Sequence, residues 1–147
     1  MEALAAIGLA SNVVQFLEFV GKVISGGIEA HNATDGANAT VRTLATVTAD
    51  LNGLCEKLTQ PHREQQTPTA SDVALDTLVQ SCKQLGQDLI KTLEGLKVND
   101  HHKTWSSVCQ ALKSAWKTRE IERYEARLEA YRSQIVMHLL TTLTYVR

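Results

Sequence analysis

The first apolar segment of the chain, ALAAIGLASNVVQFLEFVGKVISGG from Ala3 to Gly27, carries its polar and small residues on one narrow stripe. They recur at steps of three and four residues, which is the spacing of one face of an α-helix. The remaining apolar arc is much wider than the roughly 100° that a surface helix buries. The sequence therefore predicts a helix contacted on several sides. The stripe comprises Gly8, Ser11, Asn12, Gln15, Glu18, Lys22, Ser25 and Glu29.

The same periodicity predicts two further helices in the next part of the chain. The second helix follows a turn at residues 32–38 and runs to about Gln60. A polar loop bracketed by Pro61 and Pro68 comes next, and a third helix then extends to Leu96. The apolar positions that define these two helices are Leu44, Val47, Leu51, Leu54 and Leu58, then Leu75, Leu78, Cys82, Leu85, Leu89, Leu93 and Leu96.

Residues 104–146 keep a helical pattern that is too long for one helix of this fold. A single helix over that span would extend roughly 60 Å and leave apolar residues without partners. Thr118 can cap a new helix, with Glu120 in its positive first turn. We therefore expect a shorter helix before Thr118 and a long one after it.

The predicted fold class is all-α, an antiparallel bundle of four long helices plus a shorter fifth helix. No alternating strand pattern of useful length occurs in the sequence. Because 147 residues are about the size of one domain, the prediction is a single helical-bundle domain over residues 1–147.

Charge and composition limit the classes of function. The net charge is −1, which lacks the basic footprint that a nucleic-acid-binding protein needs, so no nucleic-acid partner is expected. Residues 1–96 hold 11 acidic and 6 basic side chains, whereas residues 97–147 hold 5 acidic and 9 basic ones. The N-terminus lacks the positive region of a secretory signal, which predicts a cytoplasmic protein.

The sequence offers no enzyme motif, so we expect a non-catalytic protein with no cofactor and no metal. Cys55, Cys82 and Cys109 fall on apolar faces of three helices, where buried small hydrophobes are far commoner than metal ligands. His101 and His102 follow a helix end and lack the spacing of a helical metal site. Both groups are therefore assigned structural or solvated roles.

A positive patch is predicted around Lys113, Lys117 and Arg119, with Trp105 and Trp116 among its lysines. Tryptophan beside lysine suits an anionic lipid surface, where the ring lies at headgroup depth and the ammonium meets phosphate. The same pair also occurs at the end of a bundle, with the ring buried and the lysine stem over it. Base rates favour the bundle end, and headgroup or partner contact remains the alternative.

The first segment also has two interpretations. It approaches the length and hydropathy of a membrane span, but Glu18 and Lys22 near its middle make constitutive spanning improbable. A central helix of the bundle explains both its apolar arc and its polar stripe, while opening of the bundle would let the arc face lipid. The candidate inserting residues are Leu4, Ile7, Val13, Phe16, Leu17, Val20 and Ile24.

Several stretches together resemble a known family, the HeLo-like N-terminal domains that precede the nucleotide-binding module of fungal NOD-like (STAND) receptors. The opening MEALAAIGLASNVVQFLEFVGKVIS is similar to the start of that domain. TVTADLNGLCEKL, SCKQLGQDLIKTLEGLKV and WSSVCQALKSAWKTREIERYEARLEAYRSQIVMHLL are similar to its later parts in order. The runs Gly8 to Asn12 and Ala111 to Trp116 are the most telling, and the resemblance covers nearly the whole chain.

The resemblance implies a non-catalytic effector or signalling domain at the front of a larger receptor. In HeLo domains the N-terminal helix disrupts membranes in fungal programmed cell death and non-self recognition, which corresponds here to Leu4 to Ile24. Other members of this group oligomerise or recruit a downstream signalling protein without touching a membrane. The implied partners are therefore further copies of the chain, an anionic membrane on activation, or a signalling protein.

Overall fold

A computed structural model of the chain describes residues 3–25, 44–58, 70–96, 116 and 118–146. Within these ranges the regular structure is entirely helical, which confirms the all-α prediction. The helices are α1 (Ala3–Ser25), α2 (Leu44–Lys57), α3 (Ala70–Leu96) and α4 (Thr118–Val146).

Helix α1 lies against all three of the other helices. Its exposed residues occur at steps of four and three along its whole length, so they form a single stripe. This stripe matches the predicted polar one except at Asn12, which is half-buried, and at Leu4, which joins it, while Glu29 lies outside the described residues. The prediction of a helix contacted on several sides is confirmed. The exposed stripe consists of Leu4, Gly8, Ser11, Gln15, Glu18, Lys22 and Ser25.

One hydrophobic core joins the inward faces of the four helices. Helices α2 and α3 supply it from the positions that the periodicity predicted: Leu54 is half-buried, the side chain of Leu96 lies outside the described residues, and the other positions are buried. Phe16 of α1 is 0% exposed and is the largest fully buried side chain in the described part of the chain. The core residues of α2 and α3 include Leu44, Val47, Leu51, Leu58, Leu75, Leu78, Val79, Cys82, Leu85, Leu89 and Leu93.

Polar contacts fix how neighbouring helices run. Arg127 of α4 approaches Asp88 of α3 with 3.4 Å between Nη1 and Oδ2, and Tyr124, one turn earlier in α4, lies near Thr92, one turn later in α3. Later residues of α3 thus meet earlier residues of α4, so these two helices are antiparallel. Asn12 Nδ2 donates to the Lys57 carbonyl at 3.3 Å, which satisfies one of the carbonyls left unpaired at the end of α2.

Gly86 of α3 lies where the side chains of α1 and α2 come close to the α3 backbone. A Cβ at this position would lie 2.5 Å from Cys55 Sγ and 3.0 Å from Phe16 Cε1. Only a residue without a side chain lets α1 and α2 pack this closely on α3. Gly86 therefore sets the distance between three helices.

The predicted helix boundary before α4 is correct, because α4 begins at Thr118 and has Glu120 in its first turn. Trp116 immediately before it is buried, at 7% exposure. The shorter fifth helix predicted between Thr104 and Lys117 lies outside the described residues except for Trp116.

Candidate functional site

Most of the predicted inserting residues of α1 belong to the hydrophobic core. Ile7 is half-buried, and Leu4 is 82% exposed. The apolar arc is therefore covered by the other helices in this structure, and the polar stripe with Leu4 is what solvent meets. The five buried candidates are Val13, Phe16, Leu17, Val20 and Ile24.

Length and hydropathy alone would allow α1 to cross a bilayer. Leu4–Ser25 has a mean hydropathy of 1.5 and is the one segment of the described ranges long and apolar enough to do so. The core helix of a globular protein passes the same test, and 39% of this segment is buried in the fold. The segment is consistent with both interpretations of α1 given above.

A groove of about 530 Å³ separates part of α1 from α4. Its walls carry three carboxylates and two cations among a few apolar side chains. Gly21 forms part of its floor, and a Cβ there would lie 2.5 Å from Arg132 Nη2. The guanidinium thus crosses α1 where no side chain blocks it. The groove is lined by Glu18, Gly21, Lys22, Ile24, Ser25, Glu125, Leu128, Glu129 and Arg132.

An aromatic and charged cluster covers the start of α4. The rings of Trp116 and Tyr124 stack with centroids 4.7 Å apart, and the Arg127 guanidinium lies 5.7 Å from the centre of the Tyr124 ring. Burial raises the pKa of Tyr124. Burial disfavours the charge of Arg127, but hydrogen bonding to Tyr131 and then to Asp88 outweighs it and raises the pKa of Arg127. The tyrosine is thus neutral and the arginine charged at physiological pH.

This cluster includes one tryptophan of the predicted positive patch, Trp116, and shows how its ring packs. Trp116 is buried and packs its ring on Tyr124, which is the ring placement of the bundle-end alternative, while the lysines that would lie over the ring are outside the described residues. Arg119 is exposed and available for a headgroup or a partner. Lys113, Lys117 and Trp105 lie outside the described residues.

Two of the three cysteines are described, and both are held in the thiol form. Burial raises the pKa of Cys82 to about 12, with nearby Cys55 adding to the shift, and burial also raises the pKa of Cys55. A thiol is a poor nucleophile and a poor metal ligand, so these residues act as packing groups. No cluster of three potential metal ligands occurs among the residues that the structure places. Cys109 lies outside them.

The last four turns of α4 expose an apolar surface that the periodicity did not predict. We call Val136, Met137, Leu140 and Leu143 the α4 strip; these side chains are 52%, 64%, 57% and 54% exposed. Leu143 continues the helical series of apolar positions in residues 104–146, and the structure leaves its side chain exposed. A usable signal was present, because no Asp, Glu, Lys or Arg occurs between Ser133 and Val146.

No family model matches the chain, and neither a curated protein nor a solved structure matches it. Membership of the fungal receptor family therefore stays a prediction from the sequence. The described features that bear on function are the buried apolar arc of α1, the exposed Arg119 and the α4 strip.

Proposed function

We propose that the chain is the non-catalytic N-terminal effector domain of a fungal NOD-like receptor. It acts in programmed cell death or non-self recognition by oligomerising and by conditional membrane targeting. The complete domain is a bundle of four long helices and a shorter fifth, cytoplasmic at rest and membrane-associated on activation. Its partners are other copies of itself, an anionic membrane and a downstream signalling protein, with no role for nucleic acid.

The observation that carries this proposal is the placement of α1. This helix is long and apolar enough to span a bilayer, yet the fold hides most of its apolar arc against three neighbours. A helix that enters lipid only on activation has to be buried in the resting state, because an exposed apolar area of this extent would promote aggregation. The resting bundle is thus the inactive state.

Activation in this proposal is release of α1 when neighbouring receptors cluster. The apolar arc then faces lipid, and the exposed stripe with Glu18 and Lys22 faces water or the same stripe of other copies. Arg119, together with Lys113 and Lys117, contacts anionic headgroups while α1 inserts.

Dye release from anionic liposomes tests the proposal with the intact 147-residue chain. Leu4 is a candidate inserting residue that is already exposed, so Leu4→Glu leaves the core untouched. A charge in the inserting helix opposes its entry into lipid, so half-maximal leakage should require on the order of tenfold more of this variant than of the wild type. Circular dichroism checks that the helicity is unchanged.

The matched control for Leu4→Glu is Val73→Glu. Val73 is also an exposed apolar residue, 54% exposed, but it lies in the first turn of α3. This variant should release dye from the liposomes at the same concentrations as the wild type. Absence of leakage by the wild type at any concentration, or equal leakage by both variants, contradicts insertion through α1.

A charge reversal tests the headgroup contacts separately. Replacing Lys113, Lys117 and Arg119 together by Glu should abolish association with anionic vesicles at low salt. Arg119 is exposed, and substitutions at exposed charges seldom affect folding. Circular dichroism of the triple variant checks that its helicity matches that of the wild type. Association that survives the triple change refutes the headgroup assignment.

The second candidate function is a protein interaction module that oligomerises or recruits a partner without touching a membrane. The α4 strip favours it, because exposed apolar patches rimmed by polar residues mark protein interaction sites. In that case α1 is permanently core, and liposomes stay intact while the chain still binds protein through α4.

A further inference from the structure

Gly21 lets a side chain of α4 lie directly against the backbone of α1. A Cβ at this position would be 2.5 Å from Arg132 Nη2, 3.8 Å from Arg132 Cζ and 4.0 Å from Leu128 Cδ1. The first distance is too short for a real Cβ, so the guanidinium occupies the space that a side chain would fill. Leu128 is buried and Arg132 is exposed, so the arginine forms the solvent side of this contact.

Around this contact, the end of α1 is not tightly packed on α4. The groove of about 530 Å³ runs beside residues 18–25, the last two turns of α1. The large apolar side chains of its lining are Ile24 and Leu128. Segments with few buried apolar contacts open locally at a lower free energy than the core. On its α4 side, the end of α1 thus depends on a small number of contacts, and that of Arg132 is one of them.

The charges of the groove favour a cation over Gly21. Three carboxylates and two cations line the groove, so its net charge is negative. Glu18 precedes Gly21 by three residues, and Glu129 precedes Arg132 by three residues. This spacing places each carboxylate on the same face of its helix as the residue that follows it. The guanidinium therefore adds an electrostatic contact between the helices to the apolar contact that Leu128 makes.

We propose that the contact of Arg132 with Gly21 is an autoinhibitory restraint, which limits how often the last two turns of α1 separate from α4. These turns carry Ile24, a candidate inserting residue, so their separation exposes part of the apolar arc. The contact is weak, because solvent screens the charge of an exposed arginine. Its loss therefore changes the opening of α1 and leaves the fold intact. The autoinhibitory role rests on the proposed function; the restraint itself does not.

Amide hydrogen exchange of the intact chain, without lipid, tests the restraint. Arg132→Ala should make exchange of residues 18–25 about three- to fivefold faster than in the wild type, the upper range for an exposed charged contact. Exchange of α3 should stay unchanged, which separates local opening from a loss of global stability.

Arg123→Ala is the matched control, because Arg123 is another exposed arginine of α4 and does not line the groove. Exchange of α1 in this variant should match the wild type. Exchange of residues 18–25 that is unchanged by Arg132→Ala, or accelerated equally by both substitutions, overturns the proposal. Equal acceleration in α1 and α3 overturns it as well.

Two glycine substitutions in α1 test the position of the contact. Nothing lies within 4 Å of the Cβ position of Gly8, so Gly8→Ala should slow exchange in the adjoining turns about two- to fivefold through helix propensity alone. Gly21→Ala brings the same gain but displaces the flexible end of Arg132, so its gain should be about three- to fivefold smaller. In an Arg132→Ala background Gly21→Ala should recover the full gain. An equal gain with and without Arg132 contradicts the contact.

Dye release from anionic liposomes separates this inference from the proposed function. Half-maximal leakage should need about three- to fivefold less Arg132→Ala than Arg123→Ala, which has the same net charge. Faster exchange with equal leakage keeps the restraint and refutes its autoinhibitory role. Faster exchange in a protein that never releases dye refutes the proposed function alone, and greater leakage without faster exchange overturns the restraint.

Discussion

Helix α1 is more apolar in composition than helix α4, yet α4 exposes more of its large apolar side chains. Helix α1 is the most apolar of the four described helices, and most of its large side chains are buried. Helix α4 is the most polar, yet it holds four of the six large apolar side chains that are more than half exposed within the described ranges. Among the side chains of α4 whose burial is described, Leu128 and Ile135 are the buried ones.

The difference shows that hydropathy measures how much apolar surface a helix has, whereas the neighbouring helices determine how much of that surface is buried. Helix α1 has three neighbours along its arc, so its apolar surface contributes to stability. The last turns of α4 have apolar residues and no cover from the described part of the fold, so they are available for binding. The predictions that follow compare these two regions.

The largest expected effect comes from the same truncation made in both helices. Leu17→Ala should lower the free energy of unfolding by about 2–5 kcal/mol, because it leaves a cavity at a residue that is 1% exposed. Leu140→Ala should change it by about 0.5 kcal/mol or less in dilute solution, since Leu140 is 57% exposed. Urea unfolding followed by circular dichroism measures both. Equal losses of unfolding free energy in the two variants would mean that Leu17 and Leu140 are buried to the same extent.

A smaller effect is expected from Gly86→Ala beside Phe16. The new methyl group would overlap Cys55 Sγ and crowd the Phe16 ring, so the unfolding free energy should fall by about 1–3 kcal/mol. Gly8→Ala is the control, because nothing lies within 4 Å of its Cβ position on the exposed stripe of α1. That change should raise stability by about 0.5–1 kcal/mol through helix propensity alone. A stabilising Gly86→Ala would show that the three helices pack more loosely there.

Alkaline pH should weaken the core through Cys82. Its folded pKa of about 12 exceeds the ordinary thiol value of 9.0, so the unfolded chain loses its proton first as the pH rises. The stabilisation is complete below pH 9.0 and is lost progressively up to about 12, at no more than about 1.4 kcal/mol per pH unit. In urea unfolding at several pH values, the unfolding free energy of Cys82→Ala should decline less steeply with rising pH than that of the wild type. Parallel declines would place the alkaline loss in other groups, such as Cys55 and Tyr124.

The smallest effect is expected from the ion pair between α3 and α4. Arg127 and Asp88 are 28% and 37% exposed, so solvent screens their attraction. Asp88→Asn keeps the size of the side chain and should cost less than about 1 kcal/mol in urea unfolding. A larger loss would show that Arg127 is held on Tyr124 by this carboxylate.

Local patterns were sufficient to predict the four described helices and much of the core. The steps of three and four residues placed the core positions of α2 and α3, and Thr118 with Glu120 correctly marked the start of α4. These features depend on residues near one another in the chain. The sequence can therefore specify them without knowledge of the tertiary arrangement.

The exposed apolar strip and the contacts between helices could not be predicted in this way. Leu143 continues the inward spacing of Ile135 and Leu139, but whether it is covered depends on how far the neighbouring helices reach along α4. The approach of Cys55 and Phe16 at Gly86 depends on the spacing of three helices. Asn12 looked like part of a solvated stripe, yet it caps the end of α2.

The exposed stripe of α1 also gives experimental access to a helix that is otherwise enclosed. A nitroxide or fluorophore attached through cysteine at Gln15 or Ser11 projects from the stripe without entering the core. The distance from such a reporter to a second one on the outer face of α3, for example at Gln80, follows the position of α1 directly. The same stripe therefore allows the resting and released states to be counted in one sample.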